Sequence, residues 1–456
     1  MVRVPRACMM NPDTARASPF CGELIDRADL QQWQAMCLHL LTERAAGPQS
    51  RWWPYLEHLP DMSGHPLLWD DAAVSALEGS PMHARLVARI DNVIDDLEEL
   101  VAVGANELPV GRGAGGDLVT EESMRWATAV LLSRGFYLAF DPDGDAGDGA
   151  GPAPLASGGG GGVDVTMPPD RYRLGASDVG NVLDDDMEGD GEDYLGSWDE
   201  EAHHVVALVP WADALNHSSE AGEGAVLRFD RDAQAATLRA DRDYARGDEV
   251  LCSYGPWKAR SDLLLDHGFV DAANSNLWAE VPLGFLARPE GEEAGDLFNA
   301  AGAMLGDLEA VLDAESPPDE SILSWVRAAV ATPEELAGFG WDAAGDDGQR
   351  LASALAVTAR LTRPASASNE ARALESLEAA VGEVLSRYAS SLQQDAAELE
   401  ALCAAGEGSS GRASVLRALV GEKTALRNTA QAVAERRAML RDGAGLDELW
   451  DAPDED

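Results

Sequence analysis

The chain has 456 residues, with 34 basic side chains against 81 acidic ones and a formal net charge of −47. That balance excludes nucleic acid as a partner of the whole chain, because phosphate contacts need Lys and Arg, and it leaves a basic protein partner open. Hydrophobic residues make up 45% of the chain, enough for one large core or two, and no run approaches the ~18 apolar residues of a membrane span.

Five scattered cysteines, Cys8, Cys21, Cys37, Cys252 and Cys403, show no Cys-x-x-Cys spacing. No metal site is expected from them, and free thiols are. Val2-Arg3-Val4-Pro5 reads as a strand. Glu23 to Arg44 reads as one helix, with Leu30, Trp33, Cys37, Leu40 and Leu41 at helical spacing. Trp52 to Pro60 is an aromatic cluster bounded by proline and reads as packing material rather than a ligand cage. Trp69-Asp70-Asp71 opens further helices through Leu77, Leu86, Ile90, Ile94 and Leu97. Gly111 to Gly116 has the wrong glycine spacing for a nucleotide loop and reads as a flexible loop. Thr120-Glu121-Glu122-Ser123 starts a helix that runs through Trp126, Val130 and Leu131 to Ser133-Arg134-Gly135-Phe136. Gly135 fits there as a helix terminator.

Asp141 to Glu201 changes character, with seventeen acidic residues against Arg171 and Arg173, and a run of glycines from Gly158. It is expected to be a disordered acidic insertion. His203 and His204 follow it without further candidate metal ligands nearby. Val205 to Trp211 is an apolar run that reads as a buried strand. It ends in Ala212-Asp213-Ala214-Leu215-Asn216-His217-Ser218, polar groups placed where each needs a partner. Val226 to Leu238 reads as a hairpin. Arg246-Gly247-Asp248 is a turn before a strand from Val250 to Tyr254, and Ala259 to His267 is a helix. From about Ala287 helical patterns dominate: Leu374, Leu377, Val381, Val384, Leu385 and Tyr388 line one face. Ser391-Leu392-Gln393-Gln394 starts a helix with a capping box, and Ser414 to Arg441 is another long helix.

Asn216-His217-Ser218, then Gly247-Asp248-Glu249-Val250, Ser253-Tyr254-Gly255 and Leu263-Leu264-Leu265-Asp266-His267-Gly268-Phe269-Val270, resemble in order the SET-domain protein methyltransferases, in the subgroup typified by the plant Rubisco lysine methyltransferase. Trp-x-x-Tyr-Leu-x-x-Leu-Pro at Trp52 to Pro60, Arg387-Tyr388 to Asp395 and Gly421-Glu422-Lys423 extend the resemblance over most of the chain. It implies an α+β fold. Residues 1–286 would form a SET domain of short strands with a pseudoknot, a helical insert at about 22–132 and the acidic loop at about 141–201. Residues 287–450 would form an all-α substrate-binding domain. Family members open with a Gly-rich strand-turn before a strand ending in Val-Pro. Here the residues begin at Val2-Arg3-Val4-Pro5, which implies weak cofactor binding by the chain as written.

The implied reaction is S-adenosylmethionine-dependent methylation of a lysine on a non-histone protein, since no cysteine-rich zinc segment follows Ser-Tyr-Gly. Free lysine has a pKa near ~10.4, and a narrow, dry channel beside a sulfonium favours its neutral, nucleophilic form. The remaining work is alignment and electrostatics. By resemblance Tyr254 is the catalytic residue, orienting the amine. Arg134, Asn216 and His217 bind the cofactor, Arg134 through the carboxylate it can grip in bidentate fashion. Ser133, Phe136, Asp213 and His267 line the lysine channel, with His267 where some relatives carry a second tyrosine. The expected partner is a protein substrate held by the C-terminal domain, with no nucleic acid and no membrane, and the chain is expected to be a monomer. The rival readings are a non-catalytic SET protein that recruits a partner, and a histidine methyltransferase. Neither a signal peptide nor a transit peptide is visible, so cytoplasm and plastid both stay open.

Overall fold

The computed structural model describes residues 2–110, 116–139, 204–220, 225–230, 233–301, 309–315 and 318–446. The acidic insertion, His203 and most of the Gly111–Gly116 stretch lie outside these residues. β1 (Val2–Pro5) leads into a run of helices: α1 (Pro12–Arg16), α2 (Gly22–Ala28), α3 (Gln32–Ala46), α4 (Trp53–Leu56), α5 (Asp71–Ser75), α6 (Pro81–Ala102) and α7 (Glu121–Arg134). The single helix expected from Glu23 to Arg44 is two. Asp29 takes a left-handed conformation at φ 48°, one that Asp tolerates better than most residues, and the chain restarts at Gln31, which caps α3 together with Gln34. α3 is buried almost all round, from Trp33 to Glu43, so it is the axle of this half of the molecule.

α7 begins as expected, with a reciprocal cap between Thr120 and Ser123. It ends differently. Gly135 is not in the left-handed terminator conformation but extended, at φ −72°, and passes straight into β2 (Gly135–Ala139). Glycine is needed there for space: an added Cβ would stand 2.4 Å from the Leu131 carbonyl oxygen. β2 pairs antiparallel with β3 (His204–Leu208), with Phe136 opposite Ala207. The strand expected to reach Trp211 stops at Leu208, because Pro210 lacks an N–H and Trp211 turns to φ 81°.

The short strands that follow frame the site. β4 (Asn216–His217) lies parallel to β7 (Leu251–Cys252), with Asn216 opposite Leu251 and His217 opposite Cys252. This sets the Asn-His segment beside the segment that leads to Tyr254, and the expected strand from Val250 to Tyr254 is reduced to this two-residue ladder. β5 (Val226–Asp230) and β6 (Ala235–Arg239) form the expected hairpin, extended by β1 in the order β1-β6-β5. α8 (Arg260–His267) starts beyond Ala259, where the Asp262 carboxylate caps the Ala259 N–H at 2.9 Å, and it ends at Gly268 with φ 78°.

β8 (Trp278–Pro282), which the sequence patterns do not reveal, precedes α9 (Leu283–Leu286) and α10 (Glu292–Ala300). The region after Ala287 is helical as expected, except that β9 (Glu309–Asp313) pairs antiparallel with β8, so that region is not all-α. It continues with α11 (Glu320–Ala329), α12 (Pro333–Phe339), α13 (Asp347–Arg360), α14 (Ala367–Arg387), α15 (Leu392–Ala404) and α16 (Gly411–Arg441). Leu374, Leu377, Val381 and Val384 of α14 are buried, and Ser391 caps α15 with Gln394 in return. α16 packs on α14 and α15, and also on α8 and β8. One apolar core runs from Met10 through Leu264 to Val433, and a smaller one gathers Val4, Leu138, Ala207 and Ala236. No helix among the described residues is long and apolar enough to cross a membrane.

Candidate active site

Four separate segments meet around Tyr254. Its backbone N–H donates to Nδ1 of His217 at 3.0 Å, and its hydroxyl donates to the Leu215 carbonyl oxygen at 2.6 Å. With Nδ1 accepting, the proton of the neutral His217 ring sits on Nε2, which donates to the Ser219 hydroxyl at 3.0 Å. Burial lowers the pKa of His217 and raises that of Tyr254, so the imidazole is neutral and the phenol keeps its proton.

The Tyr254 ring lies 4.6 Å from the His267 ring, 5.1 Å from His217 and 6.2 Å from Phe269. His267 donates from Nδ1 to the Ser133 carbonyl oxygen at 3.3 Å, a contact that runs through backbone and leaves no mark in the sequence. Burial, with Lys258 adding its charge, pushes the His267 pKa down to about 3. The wall is therefore four rings with no positive charge of its own.

The loop between β3 and β4 closes the other side. Arg134, the last residue of α7, donates from Nη1 to the Asp213 carbonyl oxygen at 2.7 Å. The Asp213 carboxylate accepts from the hydroxyl of Tyr55, which α4 carries in from the helical insert. Burial pushes the Asp213 pKa up to about 6, against the Tyr55 hydrogen bond and the Arg134 charge, which both lower it. Asn216 is exposed and donates from its side-chain amide to Glu249 at 2.6 Å.

Beneath the site sits a web of buried charge. Asp266, next to His267, binds Lys258 at 2.6 Å and Arg89 at 2.7 Å, and its carbonyl oxygen accepts from His65 Nε2 at 3.1 Å. Arg85 joins Asp262 at 2.9 Å and also Glu280. These pairs tie α6 to both ends of α8 and to β8, and so fix where His267 stands.

Of the expected residues, Arg134, Asp213, His217, Tyr254 and His267 are brought together, while Asn216 adjoins His217 in β4 with its amide turned to Glu249. Ser133 takes part through its carbonyl, while its hydroxyl turns back to the Ala129 carbonyl oxygen at 2.7 Å. Phe136 packs into the smaller apolar core, and none of the described ring contacts links it to Tyr254. Two members are not marked by the sequence. Phe269 is one ring in a Gly-Phe-Val stretch with no polar group to signal a role, and Tyr55 lies in an aromatic segment that has the pattern of packing.

Comparisons with known proteins fit this geometry. Residues 259–426 match the family model described as Rubisco LSMT substrate-binding. A crystal structure of the SET domain of LSMT bound to lysine and AdoHcy superposes with a TM-score of 0.64 at 18% identity, over 96% of this chain and 82% of that one. The chain has the SET fold. Its C-terminal part, residues 259–426, carries the domain of the Rubisco LSMT substrate-binding family model. Among curated relatives, the actin-histidine N-methyltransferase of Rattus norvegicus is 22% identical over 344 residues, 73% of this chain and 46% of that protein. The chloroplastic fructose-bisphosphate aldolase-lysine N-methyltransferase of Arabidopsis thaliana is 25% identical over 142 residues, 30% of this chain and 27% of that protein. This chain thus spans less than half the length of either relative.

Proposed function

We propose that this chain is an S-adenosylmethionine-dependent protein N-methyltransferase with lysine as its target. The observation that carries the reading is the convergence of α7's end, the Asp213–His217 loop, Tyr254 and His267 on one ring-lined site. The donor set fits the cofactor. A guanidinium with one described N–H on Asp213 has others for a carboxylate, Asn216 offers an amide, and the tilted rings suit a methylsulfonium or an ammonium. When bound, S-adenosylmethionine supplies an electrophilic methyl group on a positively charged sulfur.

The chain's own residues do the rest. Arg134 and the Asn216-His217 segment hold the ligand. The rings of His217, Tyr254, His267 and Phe269 keep water scarce, which favours the uncharged amine. The protonated Tyr254 hydroxyl orients it. The domain at residues 259–426 would hold the protein that bears the target.

Tyr254→Phe should leave cofactor binding nearly intact and cut the methyl-transfer rate by ~10²–10³. Asn216→Ala should instead weaken cofactor affinity. Labelled methyl donor, a soluble protein extract and acid hydrolysis identify the product. Methyllysine supports the reading, and parental turnover by Tyr254→Phe would remove the role given to it. A second reading, histidine methylation, is favoured by the longer match to the actin-histidine enzyme and by histidine at position 267. Label in methylhistidine would decide for it. A chain that binds the cofactor and transfers nothing would be a binding module.

A further inference from the structure

Asp213 sits on a strained turn. Two residues before it, Trp211 holds φ 81° and ψ −43°, a region costly for any residue with a Cβ. Such a turn persists only where its surroundings over-determine it. Two anchors do so here: Arg134 grips the Asp213 carbonyl oxygen, and the Tyr55 hydroxyl grips Oδ2 of its carboxylate. Tyr55 and Asp213 are 158 positions apart in the chain, so the bond also ties the helical insert to the site. Trp53-Pro54-Tyr55-Leu56 is a single helical turn, and its neighbour Leu56 is buried in the main core. The tyrosine is thus delivered from a rigid base.

We propose that Tyr55 is a positioning residue that aims the Asp213 carboxylate at the side chain of the protein substrate as it arrives, before the amine gives up its proton. The proposal rests on the methyl-transfer reading and adds to it a residue from outside the SET strands. The groups that face Asp213 are Tyr55 from α4, Arg134 from the end of α7 and Tyr254 from beyond β7. Burial favours the neutral acid, with a pKa of about 6, and the Tyr55 hydrogen bond opposes burial. Without that bond the acid would stay protonated to higher pH, and the site would lose its anion near neutrality.

The test is Tyr55→Phe in the full chain, which keeps the ring and removes the hydroxyl. Carbon-13 NMR of labelled aspartate, with Asp213→Asn to assign the signal, reads the carboxyl directly. Its midpoint should rise by about one pH unit in Tyr55→Phe, the effect of losing one hydrogen bond to a charged group. In turnover, KM for the protein substrate should rise about twofold at pH 7 and about fivefold at pH 6, and return to the parent value at pH 9, with cofactor affinity unchanged. Tyr55→Phe combined with Asp213→Asn should lose no more than Asp213→Asn alone. An unmoved carboxyl midpoint, or an activity loss equal at all pH values, would overturn the proposal. If the chain transfers no methyl group at all, the functional reading fails by itself, and the NMR midpoint still decides whether Tyr55 governs Asp213.

Discussion

Asp266 and Asp213 are both buried carboxylates beside the same aromatic wall, yet their surroundings drive them in opposite directions. Asp266 lies between two buried cations. Burial works to raise its pKa, but Lys258 and Arg89 outweigh burial and hold the carboxyl far below the usual range. Asp213 is opposed to burial mainly by a neutral hydroxyl and one guanidinium, and burial wins, so its pKa rises to about 6. The first is matched by its neighbours and stabilises the fold. The second is under-matched and stays responsive near neutral pH, which is where functional groups are found. Charge balance, not burial, is what separates the two carboxylates.

The largest effect should come from breaking the matched site. Asp266→Ala leaves two buried cations without their carboxylate and should cost ~3–5 kcal/mol in urea unfolding. Because the folded pKa lies below the unfolded value, this stabilisation is present above about pH 4 and fades as pH falls further, so parent and variant should converge in acid. A loss under ~1 kcal/mol at pH 7 would show the web to be dispensable.

Asp213→Asn should do the reverse. Its folded pKa is raised, so its contribution is favourable below about pH 4 and is lost as pH climbs through about 6. Asparagine should therefore raise stability on the order of 2 kcal/mol at pH 7.5, change little at pH 4, and weaken substrate binding. Equal stability of parent and variant at both pH values would erase the contrast with Asp266.

The smallest effect belongs to the turn that carries Asp213. Trp211 is 74% exposed, so Trp211→Gly gives up little packing and relieves the positive φ. A gain of ~1 kcal/mol is expected in thermal unfolding. A loss would mean that the indole supports the turn it strains.

Much of this was readable from the chain. α8, the β5–β6 hairpin and the Ser391 cap announce themselves through local spacing, and the Asn-His and Ser-Tyr-Gly segments through their order. What was not readable depends on distant partners. Tyr55 sits in an aromatic segment that looks like packing, and its role appears only when Asp213 arrives from 158 positions away. Gly135 fits a helix terminator in the sequence and serves for space in the structure, since a sequence shows that glycine is present but not which atom would collide with a Cβ. β8 and β9 are short strands whose pairing crosses the composition change near Ala287, so neither side signals the other. The break at Asp29 to Gln31 is three residues in an otherwise helical pattern, too brief to alter the period.

α8 has a consequence for how such a chain can change over generations. Six of its eight residues, Ser261 to Asp266, are buried, so no solvent-facing side exists to absorb an extra residue. One insertion there would swing everything beyond it by about 100°, parting Asp266 from Lys258 and Arg89 together and turning His267 off Tyr254. The joint between β2 and β3 has the opposite character. Ala139 and His204 stand opposite each other in the ladder, so whatever is spliced between them begins and ends at one place. Doubling the length of a flexible connection costs only about 0.6 kcal/mol. Length variation among descendants of this chain should therefore collect between residues 139 and 204 and spare residues 260–267.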